Sequence, residues 1–182
     1  MIKYLSVALP LLILCFTACI PAHHQVKPSM DTINEQEIPK LTITNSVTIT
    51  GKSQGENKVF NFCSGHYANS NDLTESSVNY LKIIFNKNNI TFSDKGNKQI
   101  VLTAIDASCS AGALSFNFKV KLKVNAGKSV GKEFEGTSSA GNSWSSTSAI
   151  EKAISNAVRK MLDDPDILQY LQAKSIDRQK YS

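Results

Sequence analysis

The sequence predicts an α+β domain in which an antiparallel sheet of about five strands has one face covered by two main helices. Two patterns support this prediction. Apolar and polar residues alternate along several short segments, and apolar residues recur every three or four positions along others. A sheet with one polar face is normally antiparallel and covered by helices on its dry side. The expected order of elements is β-β-α-β-β-β-α-α.

The first half of the domain is predicted to supply two strands and one helix. Residues 41–50 alternate apolar side chains with threonines, which indicates a strand with one buried face. A shorter strand is expected over residues 58–62. Residues 71–85 begin with cap-forming side chains and continue with apolar residues at helical spacing, so they predict a helix. Ile90 and Phe92 follow as a short extended piece.

The segment LSFNFKVKLKV, residues 114–124, is the clearest strand in the sequence. Its apolar positions fall on one face and its polar positions on the other. The face predicted to be buried consists of Leu114, Phe116, Phe118, Val120, Leu122 and Val124. Before this segment, residues 100–105 predict a well-buried strand. After it, a turn at residues 125–128 leads into a strand that runs through Phe134.

The chain is predicted to end in two helices. Residues 148–162 carry an apolar stripe at positions i, i+3, i+4 and i+7, and Ser148 and Glu151 have the spacing of a capping box. The sequence Asp163-Asp164-Pro165 interrupts this pattern. Residues 166–171 then form a short second helix, with the proline near its first turn.

This carboxy-terminal stretch, EFEGTSSAGNSWSSTSAIEKAISNAVRKMLDDPDILQYLQ, resembles the corresponding half of the YajG-like outer-membrane lipoproteins of Gram-negative bacteria. In that family a strand ends in a segment of small residues, and a long amphipathic helix leads to an aspartate-rich break and a short terminal helix. The resemblance extends over most of residues 41–172. It implies a small envelope domain similar to the amino-terminal domain of TolB, without assigned chemistry.

The amino-terminal residues predict a secretory signal that ends in a lipid attachment site. Residues 1–18 contain an apolar run that is too short to cross a bilayer comfortably, so we expect them to be a signal peptide. The sequence Phe16-Thr17-Ala18-Cys19 resembles the bacterial lipobox, which implies that Cys19 carries diacylglycerol and palmitate. Because Ile20 follows instead of an aspartate, we expect an anchor on the periplasmic face of the outer membrane.

The segment that follows Cys19 is predicted to be a tether. Residues 19–40 contain several prolines and charges, and their apolar residues show no period, so we expect a flexible, lipidated link. Residues 41–182 are then one periplasmic domain, long enough for a single core. The membrane is expected to be contacted through the lipid anchor.

The four cysteines leave one candidate disulfide. Cys15 is removed with the signal peptide and Cys19 is lipidated, so Cys63 and Cys109 remain. An even number of cysteines in an oxidising compartment predicts a bridge between them. The alternative is two buried thiols, because free cysteine packs like a small apolar residue.

The sequence contains no strong pattern for catalysis or metal binding. Gly51-Lys52-Ser53 and Gly127-Lys128-Ser129 resemble the end of a phosphate-binding loop, but the earlier glycine of that motif is missing. Cys63 and His66 alone are too few ligands for a metal, and His23 and His24 lie in the predicted tether. We therefore expect no enzymatic activity, no metal and no cofactor. The net charge of +5 is spread along the chain, so no nucleic-acid partner is expected either.

One row of charges has a defined place on the predicted sheet. Lys119, Lys121 and Lys123 alternate along one strand and project from its polar face. Such a row suits contact with acidic lipid headgroups, glycan or a partner protein. The alternative is an ordinary solvated sheet face.

These predictions leave two classes of function open. The first is a non-enzymatic envelope lipoprotein that docks onto a partner protein as an accessory or assembly factor. The second is a periplasmic module that binds lipid or glycan. An apolar pocket between the helix of residues 148–162 and the sheet would favour the second, whereas a solid interface there would oppose it.

Overall fold

The structure is a computed structural model that describes residues 24–30, 38–53, 58–141 and 145–173. Its strands are β1 (His24–Gln25), β2 (Val47–Gly51), β3 (Val59–Asn61), β4 (His66–Asn69), β5 (Lys98–Ala111), β6 (Phe116–Ala126) and β7 (Val130–Ala140). Its helices are α1 (Ser70–Lys87), α2 (Ser146–Leu162) and α3 (Pro165–Gln172), and a short 3-10 turn covers Cys63–Gly65. The predicted α+β class is confirmed.

The described strands form two sheets. The main sheet has the order β2-β5-β6-β7, and the small sheet has the order β1-β4-β3. Strands β5, β6 and β7 form an antiparallel meander, whereas β2 runs parallel to β5 with Ile49 opposite Ile100. Parallel neighbours need a long crossover, which here contains β3, β4 and α1. Two details therefore differ from the prediction: the main sheet is mixed, and three short strands form a second sheet.

The core lies between the main sheet and the helices. Alternate residues of β6 are buried beneath α2, as the apolar alternation predicts, whereas α1 packs on β5 and β2. The predicted stripe of α2 is also buried; it comprises Ile150, Ala153, Ile154, Ala157, Val158, Met161 and Leu162. Full burial of a large apolar side chain contributes about 1.5–3 kcal/mol, so this contact supplies much of the stability of the domain.

The turn between β5 and β6 starts the second strand later than the sequence pattern indicates. Strand β6 begins at Phe116, and Leu114 lies in the turn with 91% of its surface exposed. The N–H of Gly112 donates to the carbonyl oxygen of Ser115 at 2.7 Å, which closes the turn around Leu114. The prediction that Leu114 is buried is therefore wrong. The hydrogen-bonded turn includes Leu114, so this residue does not continue the in-and-out alternation of the strand.

Only the second half of the first predicted strand, residues 41–50, is a strand in the structure. Strand β2 covers Val47–Gly51, whereas the prediction began at Leu41. The N–H of Leu41 donates to Asn88 Oδ1 at 2.7 Å, and Asn45 Nδ2 donates to the carbonyl oxygen of Leu171 at 2.7 Å. These bonds hold the segment against the ends of α1 and α3, and it forms no strand before Val47.

Residues 24–30 lie against the domain, although the sequence predicts a flexible tether there. Strand β1 pairs in parallel with β4, with His24 opposite His66. The N–H of Val26 donates to the carbonyl oxygen of Tyr67 at 2.7 Å, and the side chains of Val26 and Met30 are buried. Hydrogen bonds to α1 and α2 also hold the segment: Ser76 Oγ donates to the carbonyl oxygen of Pro28, and the N–H of Ser29 donates to Glu151 Oε1. The tether prediction is corrected for these residues, because they are held by contacts with distant parts of the chain that no local period indicates.

Candidate functional site

A disulfide joins the two sheets at one end of the domain. Cys63 opens the 3-10 turn between β3 and β4, and Cys109 lies near the end of β5. Their sulfur atoms are 2.11 Å apart, and their Cα atoms are 5.5 Å apart. The predicted bridge is confirmed. Because both sulfurs are bonded, neither cysteine is free to act as a nucleophile or a metal ligand.

Two histidines lie beside this disulfide. The rings of His24 and His66 are 5.9 Å apart, and His66 Nδ1 is 3.3 Å from the carbonyl oxygen of Cys63. Structural and catalytic zinc sites use three or four protein ligands. Within the described residues, no group of three histidine, cysteine or acidic side chains is placed to hold a metal ion. Cys19 and His23 lie outside the described residues.

The lysine row lies on the exposed face of the main sheet, away from the helices. Lys119 Nζ is 3.3 Å from Glu135 Oε2, and Lys121 Nζ is 4.0 Å from Glu133 Oε2. Lys123 is exposed and stands directly opposite Glu133 in the pairing of β6 with β7. The face therefore carries both signs of charge. This favours a solvated sheet face over a surface that collects anionic lipid, since the carboxylates repel the same headgroups that the lysines attract.

The interface between α2 and the main sheet leaves no room for a ligand at its centre. Strand β7 meets the helix at Gly136, where an added Cβ would overlap the carbonyl oxygen of Ala153 and the backbone nitrogen of Ala157. Nearby, Ser138 Oγ donates to the carbonyl oxygen of Ala149 at 2.5 Å. Strand and helix are thus in direct backbone contact, which opposes a ligand-binding cleft between them.

The outer edge of β7 is covered by side chains of α2. Asn156 Nδ2 donates to the carbonyl oxygen of Thr137, and Lys160 Nζ donates to that of Glu135, both at 2.8 Å. Carbonyl groups at a sheet edge would otherwise be available to another strand. This covering opposes docking by strand addition at this edge.

Open grooves flank α1. One of about 250 Å³ is lined by Gly51 and Ser53 at the end of β2 and by α1 residues that include Thr74 and Val78. Another of about 250 Å³ lies between residues 27–29 and α1. Sites for drug-sized ligands occupy about 300–1,000 Å³ and are more enclosed. Both grooves are therefore smaller and more open than a typical site for a ligand of this size.

The aspartate-rich break before α3 forms a polar cluster with β7. Lys132 Nζ lies 2.8 Å from Asp164 Oδ2 and 2.6 Å from Asp166 Oδ2, and the hydrogen bonds that it donates raise its pKa. Partial burial alone would raise the pKa of Asp164. The hydrogen bonds from Lys132 and from the backbone N–H groups of Ile167 and Asp166 outweigh that effect and hold the pKa below its ordinary value. Asp164 also caps α3, so the cluster has a structural role.

Neither Gly-Lys-Ser sequence forms a phosphate-binding loop. Gly51 ends β2, and the next described element is β3. Gly127 lies in the turn between β6 and β7 with a φ of 63°, a conformation that glycine adopts without strain. A phosphate-binding loop instead leads into a helix, whose N–H groups hold the anion.

The geometry defines a small disulfide-bridged α+β domain. No family model matches the chain, and no curated protein matches it. Among solved structures, the fold is similar to the crystal structure of protein XCC0632 from Xanthomonas campestris, which is described under the family model DUF330. The TM-score is 0.45 at 10% sequence identity, over 76% of this chain and 89% of that one. At this level of similarity no function is transferred. Within the described residues, no helix is both long and apolar enough to cross a membrane.

Proposed function

We propose that the protein is a non-enzymatic envelope lipoprotein, anchored through Cys19 on the periplasmic face of the outer membrane, whose domain docks onto a partner protein. The observation that carries this proposal is the lipobox-like sequence Phe16-Thr17-Ala18-Cys19 at the end of an apolar leader. One acyl chain binds a membrane only marginally, whereas several together form a stable anchor. The resemblance to YajG-like lipoproteins supports the same placement.

The disulfide supports a location outside the cytoplasm. Bridges such as Cys63–Cys109 persist in oxidising compartments, including the bacterial periplasm, and are rare in the cytosol. The bridge joins two sheets of a small domain, where a covalent link adds most to a limited core. Both observations agree with an exported protein.

The titratable groups with shifted pKa values have a structural role. The groups with shifted pKa values, Lys132 and Asp164, form an ion pair that fixes the start of α3. A catalytic site usually combines such groups with an enclosed cleft and a nucleophile or base. The cluster lacks these companions among the described residues, so we assign it to the stability of the fold.

A lipid- or glycan-binding module is the second candidate function. The groove between the end of β2 and α1 favours it, because Gly51 and Val78 give that groove an apolar lining. The direct contact of Gly136 with α2 and the mixed charges around the lysine row argue against larger sites elsewhere. We therefore retain docking onto a protein as the leading function, with the protein acting as an accessory or assembly factor.

Cell fractionation of the Cys19→Ala variant tests the anchor. We expect the wild-type protein in the outer membrane with a lipid-modified amino-terminal peptide by mass spectrometry, and Cys19→Ala in soluble or unprocessed form. Cys15→Ala is the matched control and should remain anchored, because Cys15 leaves with the signal peptide. Partition of Cys19→Ala into the outer membrane would rule out the assignment.

Cross-linking in envelopes tests the docking. One protein captured in stoichiometric amount by the wild-type chain would support it. Recovery of only lipid or glycan would contradict docking and support the second candidate.

A further inference from the structure

The turn between β5 and β6 presents an uncharged, apolar tip at the end of the domain from which the lipid anchor would emerge. We propose that this tip, residues 111–115 with Leu114 at its apex, enters the lipid leaflet that holds the Cys19 anchor. The domain would then touch the membrane at two places, which fixes its orientation. This inference rests on the proposed lipidation of Cys19.

The topology places the anchor and the tip at the same end. Strand β1 is parallel to β4, so the chain before His24 leaves the fold beside the start of β4 at His66. The 3-10 turn that precedes His66 contains Cys63, which is bonded to Cys109. Cys109 lies two residues before the end of β5, where the turn with Leu114 begins. The start of β1, the disulfide and the tip therefore lie close to one another at the same end of the domain.

The length of chain between the anchor and the domain limits how far the domain stands from the lipid. Cys19 and His24 are five positions apart in the sequence, a distance of at most about 18 Å when the chain is fully extended. The hairpin projects beyond the disulfide by residues 110 and 111 and the turn, roughly 10 Å at about 3.3 Å per strand residue. The tip therefore spans a large part of the greatest distance that the anchor allows between the domain and the membrane.

The chemistry of the tip suits a lipid leaflet. Leu114 exposes 91% of its surface, and Ala111, Gly112 and Ala113 beside it are exposed as well. Residues 107–118 contain no charged side chain. The turn is closed by the hydrogen bond from the N–H of Gly112 to the carbonyl oxygen of Ser115, so that backbone pair needs no water. Entry into lipid buries a leucine without burying a charge.

Fluorescence quenching in proteoliposomes tests this orientation. The lipidated full-length chain is reconstituted into vesicles of phosphatidylethanolamine and phosphatidylglycerol with or without brominated acyl chains. Leu114→Trp adds a fluorophore at the tip, and Ser129→Trp adds one in the exposed turn between β6 and β7. The two turns lie at opposite ends of β6, ten residues or about 33 Å apart along the strand. The emission of the wild-type protein, whose single tryptophan is Trp144, is subtracted from that of each variant.

We expect the emission added by Leu114→Trp to shift to the blue and to be quenched by the brominated lipids. The emission added by Ser129→Trp should keep the wavelength of a water-exposed indole and stay unquenched. Leu114 is almost fully exposed, so its replacement should leave the melting temperature unchanged, which checks that the variant is folded.

Two outcomes overturn the inference and are distinguishable. If mass spectrometry shows the lipid on Cys19 but Leu114→Trp is unquenched, the tip does not enter the leaflet while the anchor stands; contact of the tip with a partner protein would then be the explanation. If no lipid is found on Cys19, the proposed function fails, and the inference fails with it.

Discussion

Gly136 of β7 lies directly against Ala153 of α2, so closely that a Cβ on the glycine would overlap the carbonyl oxygen of the alanine. Strand and helix meet through their backbones at this position. The stripe of small and aliphatic residues on α2 can reach the sheet only because the strand offers no side chain here. The seating of α2 on the sheet therefore depends on one residue without a side chain.

Replacement of Gly136 by alanine should destabilise the domain. The new methyl group would press on helix backbone, which cannot move aside as a flexible side chain can, and overpacking of this kind costs about 1–3 kcal/mol or more. Urea denaturation should show a lower midpoint. Gly141→Ala is the control, because an added Cβ there meets nothing within 4 Å. Equal midpoints for the two variants would mean that α2 is not seated as described.

Ile154→Asp should unfold the domain. Ile154 is fully buried in the stripe of α2, and an unpaired carboxylate there costs several kcal/mol, a large part of the about 5–15 kcal/mol that stabilises a typical domain. Thermal melting followed by circular dichroism should lose its cooperative transition. Ser148→Asp, at an exposed position of the same helix, should melt like the wild type. Cooperative melting of Ile154→Asp at the wild-type temperature would contradict the burial of the stripe.

Removal of the disulfide should weaken the domain without changing its fold. The bridge closes a loop between cysteines that are 46 residues apart, and the chain-entropy model assigns roughly 4 kcal/mol to a loop of that length. The variant with both Cys63→Ala and Cys109→Ala should show a lower denaturation midpoint that a reducing agent no longer affects. The wild type should shift towards it on reduction. A wild-type protein that is insensitive to reduction and reacts with thiol reagents would show that the bridge is absent.

The ion pair between Lys132 and Asp164 should make stability depend on pH at both extremes. The lowered pKa of Asp164 adds stability above the unfolded value of about 3.9, and this is lost as the pH falls through the folded value. The raised pKa of Lys132 adds stability below the unfolded value of about 10.4, and this is lost as the pH rises through the folded value.

Lys132→Met should flatten this dependence and lower the melting temperature most between these limits. Lys128→Met, in the exposed turn between β6 and β7, is the control and should keep the wild-type profile. Identical pH profiles for Lys132→Met and wild type would show that the pair does not contribute.

The regular elements could be predicted from the sequence because their periods are uninterrupted. The apolar alternation continues along most of β6, and the apolar stripe continues over several turns of α2. In α2, and in β6 from Phe118 onward, the residues that the pattern predicts to be buried are buried. The pairing of Cys63 with Cys109 was also predictable, because the predicted signal peptide contains Cys15 and the predicted lipid occupies Cys19, which leaves only these two cysteines. These features depend on composition and spacing, which a sequence contains.

Features that depend on contacts between distant residues could not be predicted in the same way. The parallel pairing of β2 with β5 is decided by the crossover through α1, and β1 is held by a strand that lies some forty residues later. The exposure of Leu114 is decided by a hydrogen bond within the turn. The closeness of Gly136 to α2 could not be predicted either, because the predicted strand ended at Phe134. In the structure β7 continues to Ala140, so the glycine lies in its interior, where glycine often marks a close backbone approach.

The placement of β1 has a mechanical consequence. If the domain binds a partner while Cys19 stays in the membrane, any tension between the partner and the membrane acts on residues 24–30. These residues are held by the two-residue strand β1, by the buried side chains of Val26 and Met30, and by a few hydrogen bonds to side chains of α1 and α2. So small a unit should detach before the main sheet opens. Once detached, its seven residues would lengthen the link between the membrane and the domain by up to about 25 Å. Without tension, the segment would stay folded against the domain and the link would stay short. Single-molecule pulling should then show a short extension step before global unfolding, and a single transition would contradict this reading.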